Sequence, residues 1–199
     1  MKKNSLLAFF LFLFSAVVYA HGPVRGKMTA TIDIEAPAEE VWNVIKNFDD
    51  MSWHPGIVKT EAEGGNKKGA TRVLTLAGGG EITEYLKKYD EKKMSYTYKI
   101  TDMSVVKTIQ HAGQDEDVPV LAVDNYQGKL TVKKKGDSSV VTWVATYYRG
   151  YMNNNPPEEL NEETADEQVT AILKEGLTNL LHKFEPNTLS TAIKFTMKR

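Results

Sequence analysis

Two charged residues, Arg72 and Glu84, lie where the sequence pattern predicts the inner face of a sheet. Residues 70–76 and 81–89 alternate apolar and polar side chains, which is typical of strands with one buried face. The residues that share their faces are apolar: Leu74, Leu76, Ile82 and Leu86. A carboxylate or guanidinium in apolar surroundings is costly unless it is paired or solvated, so both are candidate polar anchors for a ligand. A structural ion pair that joins adjacent strands is the alternative interpretation.

Four aromatic residues fall on the apolar phases of other predicted strands: Tyr96, Tyr98, Tyr126 and Trp143. If they face the same interior, they and the small residues Gly128 and Gly176 would enclose a hydrophobic ligand pocket of roughly several hundred cubic ångströms. Ordinary core packing is the alternative, since aromatic residues dominate many cores.

Trp53 and His54 lie in a predicted loop that Pro55 and Gly56 keep irregular. An imidazole in such a loop can act as a general base or bind a ligand, or it can simply satisfy a nearby carbonyl group. We therefore include both residues among the predicted cavity residues but assign neither a catalytic role.

The remaining sequence predicts no reactive centre. No nucleophile and base are spaced as in a catalytic triad, and no glycine-rich phosphate loop follows a strand. The four histidines are not at helical or hairpin spacing for a shared metal ion: His21, His54, His111 and His182. We expect no catalytic residue, no metal site and no cofactor.

A long helix is predicted to position these residues. Apolar side chains recur at helical spacing from Val169 to Phe184, with charged and polar residues mostly on the other side. Gly176 interrupts this stripe at a cost of about 1 kcal/mol in helix propensity, which indicates close packing or room for a ligand. A stripe this wide must pack against a large apolar surface, and the upstream strands are the only candidates.

The upstream segments alternate as strands do, and no crossover helix separates consecutive members, so an antiparallel sheet is predicted. A short helix, opened by Pro37 and running to Phe48, follows the first strand. About seven strands are expected: Met28 to Glu35, Ile57 to Glu63, Ala70 to Leu76, Glu81 to Tyr89, Lys93 to Thr101, Asn125 to Lys133 and Ser138 to Tyr148.

In three stretches the apolar residues recur with neither the strand nor the helix period. Residues 102–124 are predicted to form an insertion loop, and residues 149–166 a polar connection into the last helix. For the tail, residues 185–199, the sequence is compatible with two structures: a loose end or a short edge element.

The amino terminus predicts export. Residues 1–20 have a basic start, an apolar run from Leu6 to Val18, and a small residue before His21, so a cleaved signal peptide and a periplasmic protein are expected. An uncleaved anchor is the weaker alternative, because the run is short for a span of about 20 residues. The mature chain would have 23 basic and 26 acidic residues and no cysteine. That balance excludes a strongly basic nucleic-acid surface, and the core must be stable without disulfides.

Seven segments together match the pattern of a known family: IEAPAEEVWNVIKNF, WHP at residues 53–55, GATRVLTL, GGGEITEYLKKYD, YTYKI, DNYQGKLTV and SVVTWVATY. They resemble the START/Bet v 1-like (SRPBCC) superfamily, specifically its polyketide cyclase/dehydrase-like branch. The resemblance implies an α+β helix-grip fold, in which a curved antiparallel sheet wraps around a long C-terminal helix. It implies a single domain over residues 21–184, with 185–199 as an additional tail.

Within that branch, the signal peptide, the mature start HGP and the segment YYRGYMNNNPPEEL resemble the MxaD-like periplasmic proteins of methanol oxidation. This resemblance implies a non-enzymatic accessory factor that promotes the interaction of methanol dehydrogenase with its cytochrome c acceptor. A carrier of a small hydrophobic molecule is the alternative that the inward polar and aromatic residues favour. A cyclase- or hydrolase-type enzyme that uses His54 or Glu84 has the least support.

Overall fold

The computed structural model describes residues 22–189 and 192–199, so the predicted signal peptide and its cleavage point before His21 lie outside the described residues. The fold is the predicted α+β helix-grip fold. Its main sheet has eight antiparallel strands in the order β10-β1-β9-β8-β5-β4-β3-β2. The strands of the described chain are β1 (Gly26–Ile34), β2 (Ile57–Glu63), β3 (Thr71–Leu76), β4 (Glu81–Asp90), β5 (Ser95–Met103), β6 (Val105–His111), β7 (Gln114–Pro119), β8 (Val123–Lys135), β9 (Ser138–Arg149) and β10 (Lys194–Lys198).

The short helix α1 (Ala38–Ile45) begins after Pro37, whose fixed φ suits the start of a helix. Glu39 and Glu40 in its first turn complement the helix dipole. The helix ends three residues before Phe48, which was predicted to be its last residue, yet the Phe48 side chain is still fully buried. The predicted apolar face is therefore right, although the helix is shorter.

The long helix α2 (Glu162–Phe184) begins two turns earlier than the apolar stripe indicated. The side chain of Asn161 accepts a hydrogen bond from the Thr164 N–H at 2.9 Å, which satisfies one of the free donors at the helix start. The helix packs against β1 and β9. Its buried residues confirm the stripe and extend it by one turn: Ala165, Val169, Leu173, Gly176, Leu177, Leu180 and Leu181.

The prediction of a loop over residues 102–124 is wrong, because β6 and β7 form an antiparallel hairpin there. Ala112 and Gly113 make its two-residue turn, both at positive φ (50° and 81°), as tight hairpins require. Alanine seldom adopts this conformation, so the sequence lacks the usual Asn-Gly or Asp-Gly turn signal.

The tail contributes the eighth strand. β10 pairs antiparallel with β1, from Lys27 opposite Lys198 to Thr31 opposite Lys194, and so forms an edge of the sheet. Of the two outcomes left open for this tail, the structure has the edge element. No helix in the described part of the chain is both long and apolar enough to cross a membrane.

Candidate functional site

A cavity of about 480 Å³ lies between α2 and the strands β3, β4 and β5, and the hairpin β6–β7 adds to its wall. Six of the nine predicted cavity residues line it: His54, Arg72, Glu84, Tyr98, Tyr126 and Trp143. The other three, Trp53, Tyr96 and Gly176, are buried beside it without lining it. The structure therefore brings most of the predicted residues together around one internal space.

Arg72 and Glu84 form an ion pair at the cavity wall. They are direct partners across β3 and β4, and Nε and Nη2 of Arg72 both donate to Oε2 of Glu84 at 2.6 Å. The guanidinium lies over the rings of Phe48 and Tyr98, and its Nη1 donates to the Phe48 carbonyl oxygen at 2.8 Å. The pair is structural and also faces the cavity, so the two interpretations of these residues do not exclude each other.

Burial sets the protonation behaviour of this pair. Burial acts to lower the pKa of Arg72, but Glu84, Tyr96 and Tyr98 together outweigh that effect and raise it, so the guanidinium stays cationic. Burial raises the pKa of Glu84 above its ordinary value, and Arg72 opposes that rise. Without Arg72, the Glu84 side chain would therefore favour its neutral form.

The aromatic part of the wall is held by a hydrogen bond from Trp143 Nε1 to the Tyr98 hydroxyl oxygen at 2.9 Å. Burial raises the pKa values of Tyr98 and Tyr126 well above their usual range, so both phenols stay protonated. A Cβ atom at Gly128 would lie 2.2 Å from the Tyr98 ring. Gly128 thus admits the Tyr98 ring rather than enlarging the pocket.

Tyr96 and Trp53 belong to the core behind the cavity. Both are almost fully buried, and neither the Tyr96 hydroxyl nor the Trp53 indole N–H has a hydrogen-bond partner in the described chain. Burial raises the pKa of Tyr96 to about 12. For Tyr96, the alternative of ordinary core packing describes the geometry better than ligand contact does. Trp53, which was predicted to be displayed in a loop, is also part of the core.

His54 is buried, although the sequence pattern indicated a residue displayed on a loop. The Gly56 N–H donates to its Nδ1 at 3.1 Å, so the ring hydrogen is on Nε2, which donates to the Ile172 carbonyl oxygen at 3.0 Å. Both ring nitrogens are thus engaged, and the side chain ties the loop to α2. This geometry matches the interpretation in which the imidazole satisfies a carbonyl group.

The absence of a side chain at Gly176 lets the His54 ring lie close to α2. A Cβ atom there would lie 2.5 Å from His54 Cδ2 and 3.0 Å from Trp143 Cζ3. Of the two explanations for this glycine, close packing is the one that the structure shows.

We expect Gly176→Ala to destabilise the protein although alanine favours helix by about 1 kcal/mol. The added methyl group must displace His54 or Trp143, and overpacking of this kind costs about 1–3 kcal/mol. Urea denaturation measures the change, with Glu167→Ala on the exposed face of α2 as the control, for which we expect almost no loss. A more stable Gly176→Ala protein would contradict the close packing.

His54 should make the protein sensitive to acid. Burial lowers the pKa of His54 below its ordinary value of 6.5, although the hydrogen bond to Ile172 opposes this. Below pH 6.5 the unfolded chain therefore takes up a proton that the folded protein excludes, and stability falls as the pH falls, by up to about 1.4 kcal/mol per pH unit.

We expect His54→Gln to be less stable at pH 8 but to lose less stability on acidification than the unmodified protein. Chemical denaturation at several pH values between 8 and 5 measures both slopes. His182→Gln is the matched control, because His182 is exposed on α2. Equal slopes for the unmodified protein and His54→Gln would show that His54 is not the acid-sensitive group.

Most of the rest of the cavity wall is apolar. Leu74, Leu76 and Ile82 line it, in agreement with the face that they were predicted to share with Arg72 and Glu84, although they were not among the nine predicted cavity residues. Val106 and Val120 also line it, but they come from the stretch predicted as a loop, where no periodicity pointed inward.

The nitrogens of His54 and Arg72 at the cavity wall are already hydrogen-bonded within the protein, those of Arg72 to Glu84 and Phe48. Within residues 22–189 and 192–199, no three histidine or acidic side chains are grouped as metal ligands. The arrangement can enclose an apolar molecule and offer it a small number of hydrogen-bonding groups.

Comparison with known families decides the classification. The family model described as polyketide cyclase / dehydrase and lipid transport matches residues 25–185, which is most of the chain. The chain belongs to this family. The match begins just before β1 and ends one residue after α2, so it spans every cavity residue of this family member. Among curated proteins, none matches the chain significantly.

Solved structures agree with this classification. A protein from Bacillus thuringiensis and the protein XoxI from Bacillus cereus are each 26% identical with a TM-score of 0.62; each comparison covers 80% of this chain, and 98% and 95% of theirs. Norcoclaurine synthase from Thalictrum flavum, solved with dopamine and hydroxybenzaldehyde, is 15% identical with a TM-score of 0.54, over 95% of this chain and 99% of its own. The last comparison shows the shared Bet v 1-like fold alone.

Proposed function

We propose that this family member is a non-enzymatic binding protein that holds a small, mainly apolar molecule in the cavity between α2 and the sheet. The observation that carries the proposal is the cavity of about 480 Å³, which has apolar walls and the buried Arg72–Glu84 pair at one point. Protein interiors are close-packed, and voids larger than a water molecule are few. A space of this size with convergent polar groups is the usual form of a ligand site.

The arrangement of polar groups supports binding rather than catalysis. A general base needs a free acceptor within reach of a substrate, and His54 uses Nδ1 for Gly56. The Glu84 carboxylate is held at 2.6 Å by Arg72, which opposes the rise in the pKa of Glu84 that burial causes. We therefore assign these residues to the wall of a binding site.

The binding proposal is tested by filling the cavity. We expect calorimetric titration with cyclohexylmethanol, a small neutral probe, to give saturable binding, and we expect Ile82→Trp to abolish it because the indole occupies the void. Thr83→Trp is the matched control, since Thr83 lies on the same strand with its side chain on the opposite face. Absence of binding to the unmodified protein, or equal binding by both variants, would overturn the proposal.

We further propose that the protein is exported and acts in the periplasm after cleavage before His21. The basic start and short apolar run of residues 1–20 support this. Sequencing the amino terminus of the protein from periplasmic extracts tests it, with His21 as the expected first residue. An intact Met1 on membrane-bound material would overturn it.

We also propose a biological role: an accessory factor of methanol oxidation that promotes the interaction of methanol dehydrogenase with its cytochrome c acceptor. The resemblance of residues 147–160 to MxaD-like proteins supports it. These residues adjoin the hairpin β6–β7: Lys107 pairs with Glu159 at 2.9 Å, and His111 donates to the Asn155 carbonyl oxygen at 2.8 Å. We call residues 105–119 and 151–160 the hairpin lobe. Its exposed apolar side chains are Val105, Val106 and Met152.

The role is tested with purified methanol dehydrogenase and its cytochrome c. Addition of the protein should speed cytochrome reduction, and Met152→Asp in the hairpin lobe should weaken the effect. Val58→Asp is the matched control, because Val58 is also apolar and exposed but lies on the edge strand β2. No acceleration by the unmodified protein would overturn this role and leave the binding proposal standing.

A further inference from the structure

The two oxygens of Glu84 differ in a way that bears on the ligand. Oε2 accepts both hydrogen bonds from Arg72, whereas no donor of the described chain reaches Oε1. The residue is 5% exposed and lines the cavity. A carboxylate oxygen that faces a cavity and has no protein donor must take its hydrogen bonds from cavity water or from a bound molecule. The cavity therefore presents an acceptor that a bound molecule can satisfy.

The Arg72 guanidinium beside Glu84 already has partners within the protein. Arg72 donates from Nε and Nη2 to Glu84 and from Nη1 to the Phe48 carbonyl oxygen. Its side chain is 1% exposed and lies against two aromatic rings, so it has almost no surface left for a ligand. No lysine and no second arginine of the described chain lines the cavity. An anionic head group would find no free cation there.

The other polar groups do not reverse this preference. Tyr98 and Tyr126 stay neutral and can both donate and accept, so they do not discriminate by charge. Glu175 also lines the cavity, on the exposed side of α2, and adds a second negative charge. A ligand in the cavity therefore meets negative charge, both from Glu175 and from the free oxygen of Glu84.

We infer that the cavity selects molecules whose polar head donates hydrogen bonds to Glu84 Oε1, with a primary ammonium preferred to a hydroxyl and a carboxylate excluded. The ligand class is therefore a small apolar amine or alcohol. This inference rests on the proposed binding function and adds the chemistry of the head group. A charged donor on a carboxylate is about twice as strong as a neutral one, which sets the order within the class.

Three probes of nearly equal shape test the order: cyclohexylmethylamine, cyclohexylmethanol and cyclohexanecarboxylate. We expect calorimetric titration at pH 7 to give the amine an affinity at least roughly tenfold above that of the carboxylate, with the alcohol between them. A carboxylate that binds as tightly as the amine would overturn the inference while leaving the binding function intact. Failure of all three to bind would overturn the binding function and the inference with it.

A variant assigns the preference to Glu84. Because a single substitution leaves a buried charge without its partner, the double variant Arg72→Met with Glu84→Gln is used, which is neutral and close in volume. We expect the ratio of amine to carboxylate affinity to fall to within about threefold in this variant. An unchanged ratio would show that Glu84 does not select the head group, and would overturn its assignment.

Discussion

Replacing Glu84 with glutamine will destabilise the protein by about 3–5 kcal/mol, because it leaves the Arg72 guanidinium buried without its counter-charge. Arg72→Met should cost less, since the remaining carboxylate can take up a proton whereas a guanidinium cannot lose one. The double variant should recover much of the loss. Urea denaturation of the four proteins gives the coupling free energy as a double-mutant cycle.

The pair Lys59–Glu61 is the matched control for this cycle. Its side chains are 2.9 Å apart and each is 60% exposed, so water screens the pair and its coupling should be below about 1 kcal/mol. A coupling at Arg72–Glu84 as small as that of the control would contradict the buried geometry. It would mean that the pair is hydrated through an open cavity.

Shortening one leucine of α2 will have an effect of similar size. Leu177 and Leu180 are fully buried between the helix and the sheet, and Leu177→Ala should cost about 2–5 kcal/mol through lost burial and the remaining cavity. Thermal and urea denaturation both measure the loss. Leu180→Ala should behave alike, because the two residues lie on the same buried face.

Lys174→Ala is the control for the helix, since Lys174 is exposed and its side chain should contribute little. Similar losses at Leu177 and Lys174 would show that the face of α2 carrying Leu177 is not packed on the sheet. The position of the helix, and with it one wall of the cavity, would then need revision.

The fold could be predicted from the sequence because apolar residues recur at regular intervals in most of its helices and strands. Alternation identified seven of the ten strands of the described chain within a few residues, and the 3.6-residue period identified the face that α2 buries. These patterns arise from burial on one side of each element, which local sequence records directly. The hairpin β6–β7 was missed because most of its side chains are exposed, and no alternating pattern arises.

The site was predictable where a residue's direction follows from its strand. Arg72 and Glu84 point inward because their strand neighbours do, and Tyr98 and Trp143 follow the same rule. His54 follows no such rule, because loop direction depends on contacts distant in sequence, here the Ile172 carbonyl group and the space at Gly176. Such contacts leave no periodic trace in a single sequence.

The indole signals of the three tryptophans test the binding site most directly. Trp143 Nε1–H donates to Tyr98 at the cavity wall, whereas Trp42 Nε1–H donates to Glu91 at 3.1 Å, away from the cavity lining. In a ¹⁵N-labelled sample titrated with cyclohexylmethanol, the Trp143 indole signal should shift and saturate while that of Trp42 stays in place. An unmoved Trp143 signal, or equal and unsaturated shifts of both, would contradict a ligand site between α2 and the sheet.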